Sequence, residues 1–207
     1  MEDVLQVYQR DYEEDEVLIC MDETSKQHIK ETRIPLPTRP GEPERFDYEY
    51  ERNGVSNLFM LFAPLEGWRH VKVTDRHTKV DWAEVIKERV DEHYPKKKII
   101  LVMDNLNTHK LGSLYEAFEP AEARRIADRL EIHYTPKHGS WLDMAEIEIG
   151  VLSRQCLDRR LPDQEILKRE INAWQNTRNQ QTIRVDWRFS VEDARIKLKS
   201  LYPSILT

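Results

Sequence analysis

The stretch 101-LVMDNLNTHK-110 decides the reading, because an apolar run is followed at once by an aspartate and then by two asparagines, a threonine and a histidine. The apolar part, 99-IILVM-103, has the length and unbroken apolarity of a strand buried on both faces. A carboxylate at the end of such a strand is costly, since an unpaired buried charge is unfavourable unless a partner or a cation compensates it. The same grammar occurs at 17-VLICMDET-24, where Asp22 follows 17-VLICM-21. If the two strands are parallel neighbours, Asp22 and Asp104 share one rim, and the carboxyl ends of strands are where open α/β sheets place their ligands.

Outward from these strands, residues 1–13 predict a short lead-in helix with Val4, Leu5 and Tyr8 on one side. Residues 23–57 are polar and carry Pro35, Pro37, Pro40 and Pro43, which exclude a regular helix or a central strand. The segment reads as a long insertion between the first two strands, functional in itself or carrying a partner-facing hairpin. The runs 58-LFMLFAP-64 and 69-RHVKVTD-75, joined by the turn 65-LEGW-68, predict an antiparallel hairpin. Asp81 to His93 is an amphipathic helix with Trp82, Val85, Ile86 and Val90 inward, closed by Pro95. A short helical piece follows Asp104, then a helix opened by Pro120 through 121-AEARRIADRL-130 and a strand 131-EIHYT-135. Beyond 136-PKHGS-140, Leu142, Ala145, Ile149 and Leu152 recur at helical spacing up to Leu157, and residues 160–207 add helices over Asp163–Thr177 and Val191–Leu201. The order predicts a single α/β domain over 1–207, with a mixed central sheet flanked by helices.

Hydrophobic residues at 39%, charged residues at 34% and only 6 glycines exclude disordered and fibrous classes. No apolar run reaches membrane-spanning length, and MEDVLQVYQRDYEEDE lacks the basic and apolar regions of a signal peptide, so a cytoplasmic protein with no membrane partner is expected. Cys20 and Cys156 lie in apolar surroundings without a CxxC pattern and read as buried free thiols rather than a zinc site. Trp68, Trp82, Trp174 and Trp187 are expected in the core. The net charge of -6 weighs against a nucleic-acid partner, yet basic residues gather at 95-PKKK-98, 124-RR-125, 159-RR-160 and 178-RNQQTIRVDWR-188, which leaves room for one positive face.

Two aspartates alone repel each other, so a site built from them calls for a divalent cation and a third acidic ligand. The helix 141-WLDMAEIEIGVL-152 offers Asp143, Glu146 and Glu148. With Leu142, Ala145, Ile149 and Leu152 as the buried stripe, Glu146 lies beside that stripe and Glu148 points further round toward solvent, which makes Glu146 the better ligand.

Taken together, 21-MDET-24, 103-MDNLNTH-109 and 134-YTPKHGSWLDMAE-146 resemble the DDE transposases of the Tc/mariner and bacterial insertion-sequence superfamily, whose catalytic domain has a ribonuclease-H-like fold. The resemblance runs from Val17 to Tyr202 and takes in 47-DYEYERNG-54 and 186-DWRFS-190. It implies cleavage and transfer of DNA strands with two Mg²⁺ or Mn²⁺ ions, Asp22 bridging both and Asp104 and Glu146 each holding one. It further implies that Asn105 and His109 orient ligands or touch DNA, that His138 contacts DNA, and that Trp141 stacks on a base. The implied partners are transposon ends and target DNA, with a homodimer because two ends must be joined. The helix-turn-helix that recognises ends in this family is absent from the chain, which leaves three readings open: one reading frame of a split gene, a truncated remnant, or a domain working with a separate amino-terminal DNA-binding polypeptide. Asp143 stands where the family usually has asparagine. Two other readings stay open: a catalytically impaired transposase-derived DNA-binding or assembly module, and a ribonuclease-H-like nuclease that hydrolyses strands without transferring them.

Overall fold

The apolar runs assemble as one five-stranded mixed sheet in the order β3-β2-β1-β4-β5, in a computed structural model that describes residues 1–43, 45, 47–137 and 139–202. The strands are β1 (Glu16–Glu31), β2 (Tyr50–Ala63), β3 (Trp68–Thr74), β4 (Lys98–Met103) and β5 (Leu130–Tyr134). β1, β2 and β3 run antiparallel, while β4 joins β1 in parallel, Val17 opposite Ile99 and Met21 opposite Met103, and β5 joins β4 in parallel. The expected ribonuclease-H-like mixed sheet flanked by helices is the fold of this chain.

Strand alternation divides the core into two layers. Leu18, Cys20, Met60, Phe62, Ile100 and Val102 face α1 (Glu2–Gln9), α5 (Met144–Leu152), α6 (Gln164–Gln180) and α7 (Val191–Lys197). Ile19, Met21, Phe59, Leu61, Leu101 and Met103 face α2 (Lys79–Glu88), α3 (Leu111–Ala117) and α4 (Pro120–Ala127). Each of these fully buried side chains is worth about 1.5–3 kcal/mol relative to exposure. A slip of one residue in β1 or β4 would exchange every inward side chain, so the register is strongly fixed.

Three expectations need correcting. β1 does not stop at Asp22: it continues to Glu31, paired throughout with β2, and only its parallel ladder with β4 ends at Met21. The polar segment 23–57 is therefore an extension of the β1–β2 ribbon, and its prolines occupy the connecting turn, where Leu36 and Arg45 form an isolated bridge. The short helix expected within residues 1–13 is α1, and its side bearing Val4, Leu5 and Tyr8 is built into the core, with the Tyr8 hydroxyl donating to Leu142 O at 2.7 Å. The helices over 81–93 and 141–157 both finish in wide π turns, Arg89–His93 and Ser153–Leu157.

Trp82 is fully buried, and Trp68, Trp174 and Trp187 pack partly buried against the two layers. Cys20 and Cys156 are free and buried. The β2–β3 turn admits only glycine at Gly67, whose φ is 68° and where a Cβ would stand 2.7 Å from the Thr182 backbone. Among the described residues no helix is long and apolar enough to cross a membrane.

Candidate active site

Asp22 and Asp104 reach the same face by arithmetic. Leu18 and Cys20 face the α5 layer, so two residues on Asp22 does too; Ile100 and Val102 face it, and Asp104 follows in the same alternation just past the end of β4. On that face α5 begins with its first turn over the rim. Asp143 caps it, its Oδ1 accepting from Ala145 N at 2.8 Å, and Glu146 stands exposed one turn in. Asparagine caps a helix equally well, which accounts for its presence at this position in the proteins the sequence resembles.

Asp22 and Asp143 feel the acids around them. Burial pushes the Asp22 carboxyl up to about 6 against the lowering effect of the Glu23 amide, and the charges of Asp104 and Glu146 push it the same way. Asp143 is raised well above the usual carboxylate range, first by burial and then by Asp22, with Asp104 and Glu146 adding to it. It is 2% exposed, and among the described residues its Oδ2 has no hydrogen-bond partner. An orphaned buried carboxylate oxygen beside three other acids marks a place where negative charge exceeds what the protein alone compensates.

The donor set is all hard oxygen, which suits Mg²⁺ or Mn²⁺. Among the described residues, no three acidic, histidine or cysteine side chains stand close enough to enclose an ion as placed. Asp104 is half-exposed on an irregular loop with one oxygen held by His109, and Glu146 is exposed, with room to rotate toward Asp22. The residues therefore fit a divalent cation in chemistry and location, with side-chain adjustment left to its arrival.

His109 is fully buried beneath this rim. Its Nδ1 lies 2.6 Å from Asp104 Oδ1 and its Nε2 lies 3.2 Å from Glu23 Oε2. Burial lowers the imidazole pKa, but the hydrogen bonds to Asp104 and Glu23 and their charges prevail and raise it to about 9. Glu23 had no role in the sequence reading, and the only signal for it was its position next to Asp22. Asn105 is exposed on the loop after β4. Trp141 is exposed and stacks on Trp187 at a centroid distance of 6.4 Å, with Phe189 edge-on at 5.9 Å. His138 lies outside the described residues.

Glu148 departs from expectation most sharply. It does not face solvent but is 3% exposed, with Arg178 donating to both its oxygens at 2.8 and 3.2 Å and Arg69 Nε 2.9 Å away as an ion pair. Apolar periodicity placed the stripe of α5 correctly on one side, but the ionic clasp makes a second buried side. Many of the clustered cations are engaged in ion pairs. Lys97 pairs with Glu66, Lys98 with Glu131, Arg124 with Asp128, Arg125 with Asp91 and Glu122, and Arg159 with Glu170.

Asp143→Asn keeps the cap and removes the charge. A carboxyl whose native pKa is raised costs stability only above its unfolded pKa of about 4. Asp143→Asn is therefore expected to raise Tm at pH 7 by about 2–4 °C, the response to about 1 kcal/mol in a chain of this size, and the gain should vanish toward pH 4. Scanning calorimetry at the two pH values checks it, and a gain that grows on acidification would contradict the burial assigned to this carboxyl.

With this geometry in hand, the chain aligns with chains in solved structures of low sequence identity, which speak to fold alone. It superposes on the Mos1 transposase paired-end complex with left transposon end at a TM-score of 0.59 and 12% identity, covering 88% of this chain and 56% of that one. The mariner Mos1 paired end complex with Mg gives 0.57 and 13%, covering 98% and 61%, and the Mos1 mariner complex with Mn gives 0.57 and 14%, covering 88% and 55%. The chain thus spans between half and two thirds of the length of these proteins. No curated protein matches the sequence. The family model described as DDE superfamily endonuclease matches residues 17–168, most of the 207, and the chain belongs to that family.

Proposed function

We propose that this chain is the catalytic domain of a DNA transposase that cleaves strands at transposon ends and transfers them to target DNA, using Asp22, Asp104 and Glu146 as ligands of two Mg²⁺ or Mn²⁺ ions. What supports this is the shared face: Asp22 on β1, Asp104 just past the end of β4 and Glu146 in the first turn of α5, far apart in sequence, lie toward one rim of the sheet, and the charges of the latter two bear on Asp22. Asp22 would bridge the ions, and Asp104 and Glu146 would each hold one. Such ions, when bound, activate a water or a 3′-hydroxyl toward a phosphodiester and neutralise the departing oxygen. The chain's own residues bind and orient. A groove on the same face beyond Asp22, lined by Thr24, Ser25, Lys26, Ser153, Arg154, Leu157 and Asp158, would take the sugar-phosphate backbone, with Lys26 and Arg154 offsetting the charge of Asp158 and of the phosphates. Trp141 offers a ring for a base to stack on, and in this reading Asn105 and His138 are further contacts with DNA. The neighbours named above are complexes with transposon ends, which supports DNA as the partner. Two copies of the chain complete the proposed assembly.

The test supplies a labelled duplex with a free 3′-hydroxyl, a supercoiled target and Mn²⁺. Joined product supports transposition, whereas nicks without joining support a nuclease that only hydrolyses. The orphaned Asp143 carboxylate favours one further reading, a chain that binds DNA but cleaves poorly because the excess negative charge must be neutralised first. In that case Asp143→Asn would gain cleavage over the parent.

A further inference from the structure

Glu23 is linked to both aspartates of the proposed site, to Asp22 through its backbone amide and to Asp104 through His109. It follows Asp22 in β1 and turns by alternation to the side of Met21 and Phe59. Its backbone amide donates to Asp22 Oδ1 at 2.8 Å. Its carboxylate lies 3.2 Å from His109 Nε2, and His109 Nδ1 lies 2.6 Å from Asp104 Oδ1. The ring itself is fixed: it is fully buried, lies 6.2 Å from the Trp82 ring, and its backbone carbonyl accepts from the Tyr134 hydroxyl at 2.8 Å. Asp104, by contrast, stands past the end of β4 on an irregular loop, and its bond from the Leu106 amide is long at 3.4 Å.

We infer that Glu23 is a positioning residue that presets the metal-ligating carboxylate of Asp104 through His109. This rests on the proposal that Asp104 is a cation ligand. A ligand already held in one orientation surrenders less freedom when an ion arrives, and loss of such supporting partners weakens metal affinity by about 10- to 100-fold in known sites. The link from residue 23 to Asp22 runs through the backbone, so changing the side chain leaves it intact and isolates the effect on Asp104.

The experiment is calorimetric titration of Mn²⁺ into the full chain. Glu23→Ala is expected to weaken binding about tenfold, and Glu23→Gln, which retains an oxygen that accepts from His109 Nε2, to recover most of the loss. Metal-free Tm should stay close to the parent's in both. Combined with His109→Ala, Glu23→Ala should add little, because the relay is already cut. Glu23→Ala binding Mn²⁺ as tightly as the parent, Glu23→Gln as weak as Glu23→Ala, or fully additive losses would each overturn the inference. Should His109→Ala fail to fold, the comparison of Glu23→Ala with Glu23→Gln decides alone. Asp104→Asn is measured alongside: unchanged binding there would sink the ligand assignment itself, whereas weakened binding there with a parent-like Glu23→Ala would sink only the relay.

Discussion

Glu148→Ala is expected to cost about 3–5 kcal/mol of unfolding free energy, the range for breaking a buried pair by removing one partner. Typical domains have only about 5–15 kcal/mol in total, so the variant should be close to unfolding at ambient temperature. The cause is specific. Arg69 is wholly buried at the start of β3 and Arg178 is largely buried on α6, and Glu148 is the carboxylate both of them face. Removing it leaves two guanidinium groups in a dry setting, with Arg69 keeping its bonds to Gly67 O, Asn179 Oδ1 and Ile183 O but losing its counter-charge. Arg69 also lies 5.1 Å over the Phe62 ring, which holds it in place and prevents escape to solvent. Urea unfolding of parent and variant measures the effect. Adding Arg69→Met to Glu148→Ala should recover part of the loss, because a dry apolar pair is tolerated better than a stranded cation. A loss below about 1 kcal/mol would place the pair in the weak, solvated class of ion pairs.

The second large effect concerns chemistry. Asp22→Asn and Asp104→Asn should each slow nicking of transposon-end DNA in Mn²⁺ by roughly 10³-fold, equivalent to about 4 kcal/mol of transition-state stabilisation. The substitution keeps the shape of the side chain and removes only its charge. At Asp22 that charge is already disfavoured by burial, so the variant should fold at least as stably as the parent, and lost activity cannot be blamed on lost structure. The two losses should not multiply in the double variant, since ligands of a shared centre act as a unit. Nicking retained within about tenfold would mean that strand cleavage is performed elsewhere on the chain.

Much of this was legible in the residues. The runs at Val17 and Ile99 have no polar interruption, so their burial between two helical layers could be read directly, and Trp82, Val85, Ile86 and Val90 gave α2 its inward side. Where reading failed, the cause was a partner remote in sequence. From Asp22 to Glu31, β1 is a ribbon with both faces partly open, so only His28 is buried there and the apolar alternation that signals a strand is missing. Glu148 looked like a solvent residue because its stabilising charges come from Arg69 and Arg178, on different elements. Glu23 was silent because its partner His109 approaches through a loop from beyond β4. Apolar periodicity reports burial among oils; it carries no information about burial among ions.

The clasp on Glu148 also bears on where the working unit ends. The matched family segment stops at residue 168 and contains every proposed ligand. Yet Ile171, Val191 and Ala194 complete the layer under α5, and Arg178 grips Glu148 from the same stretch. A fragment cut at the motif boundary would retain its acids and lose the brace that aims the helix bearing one of them. Boundaries for recombinant versions of such nucleases are therefore better drawn where packing stops than where sequence signatures do.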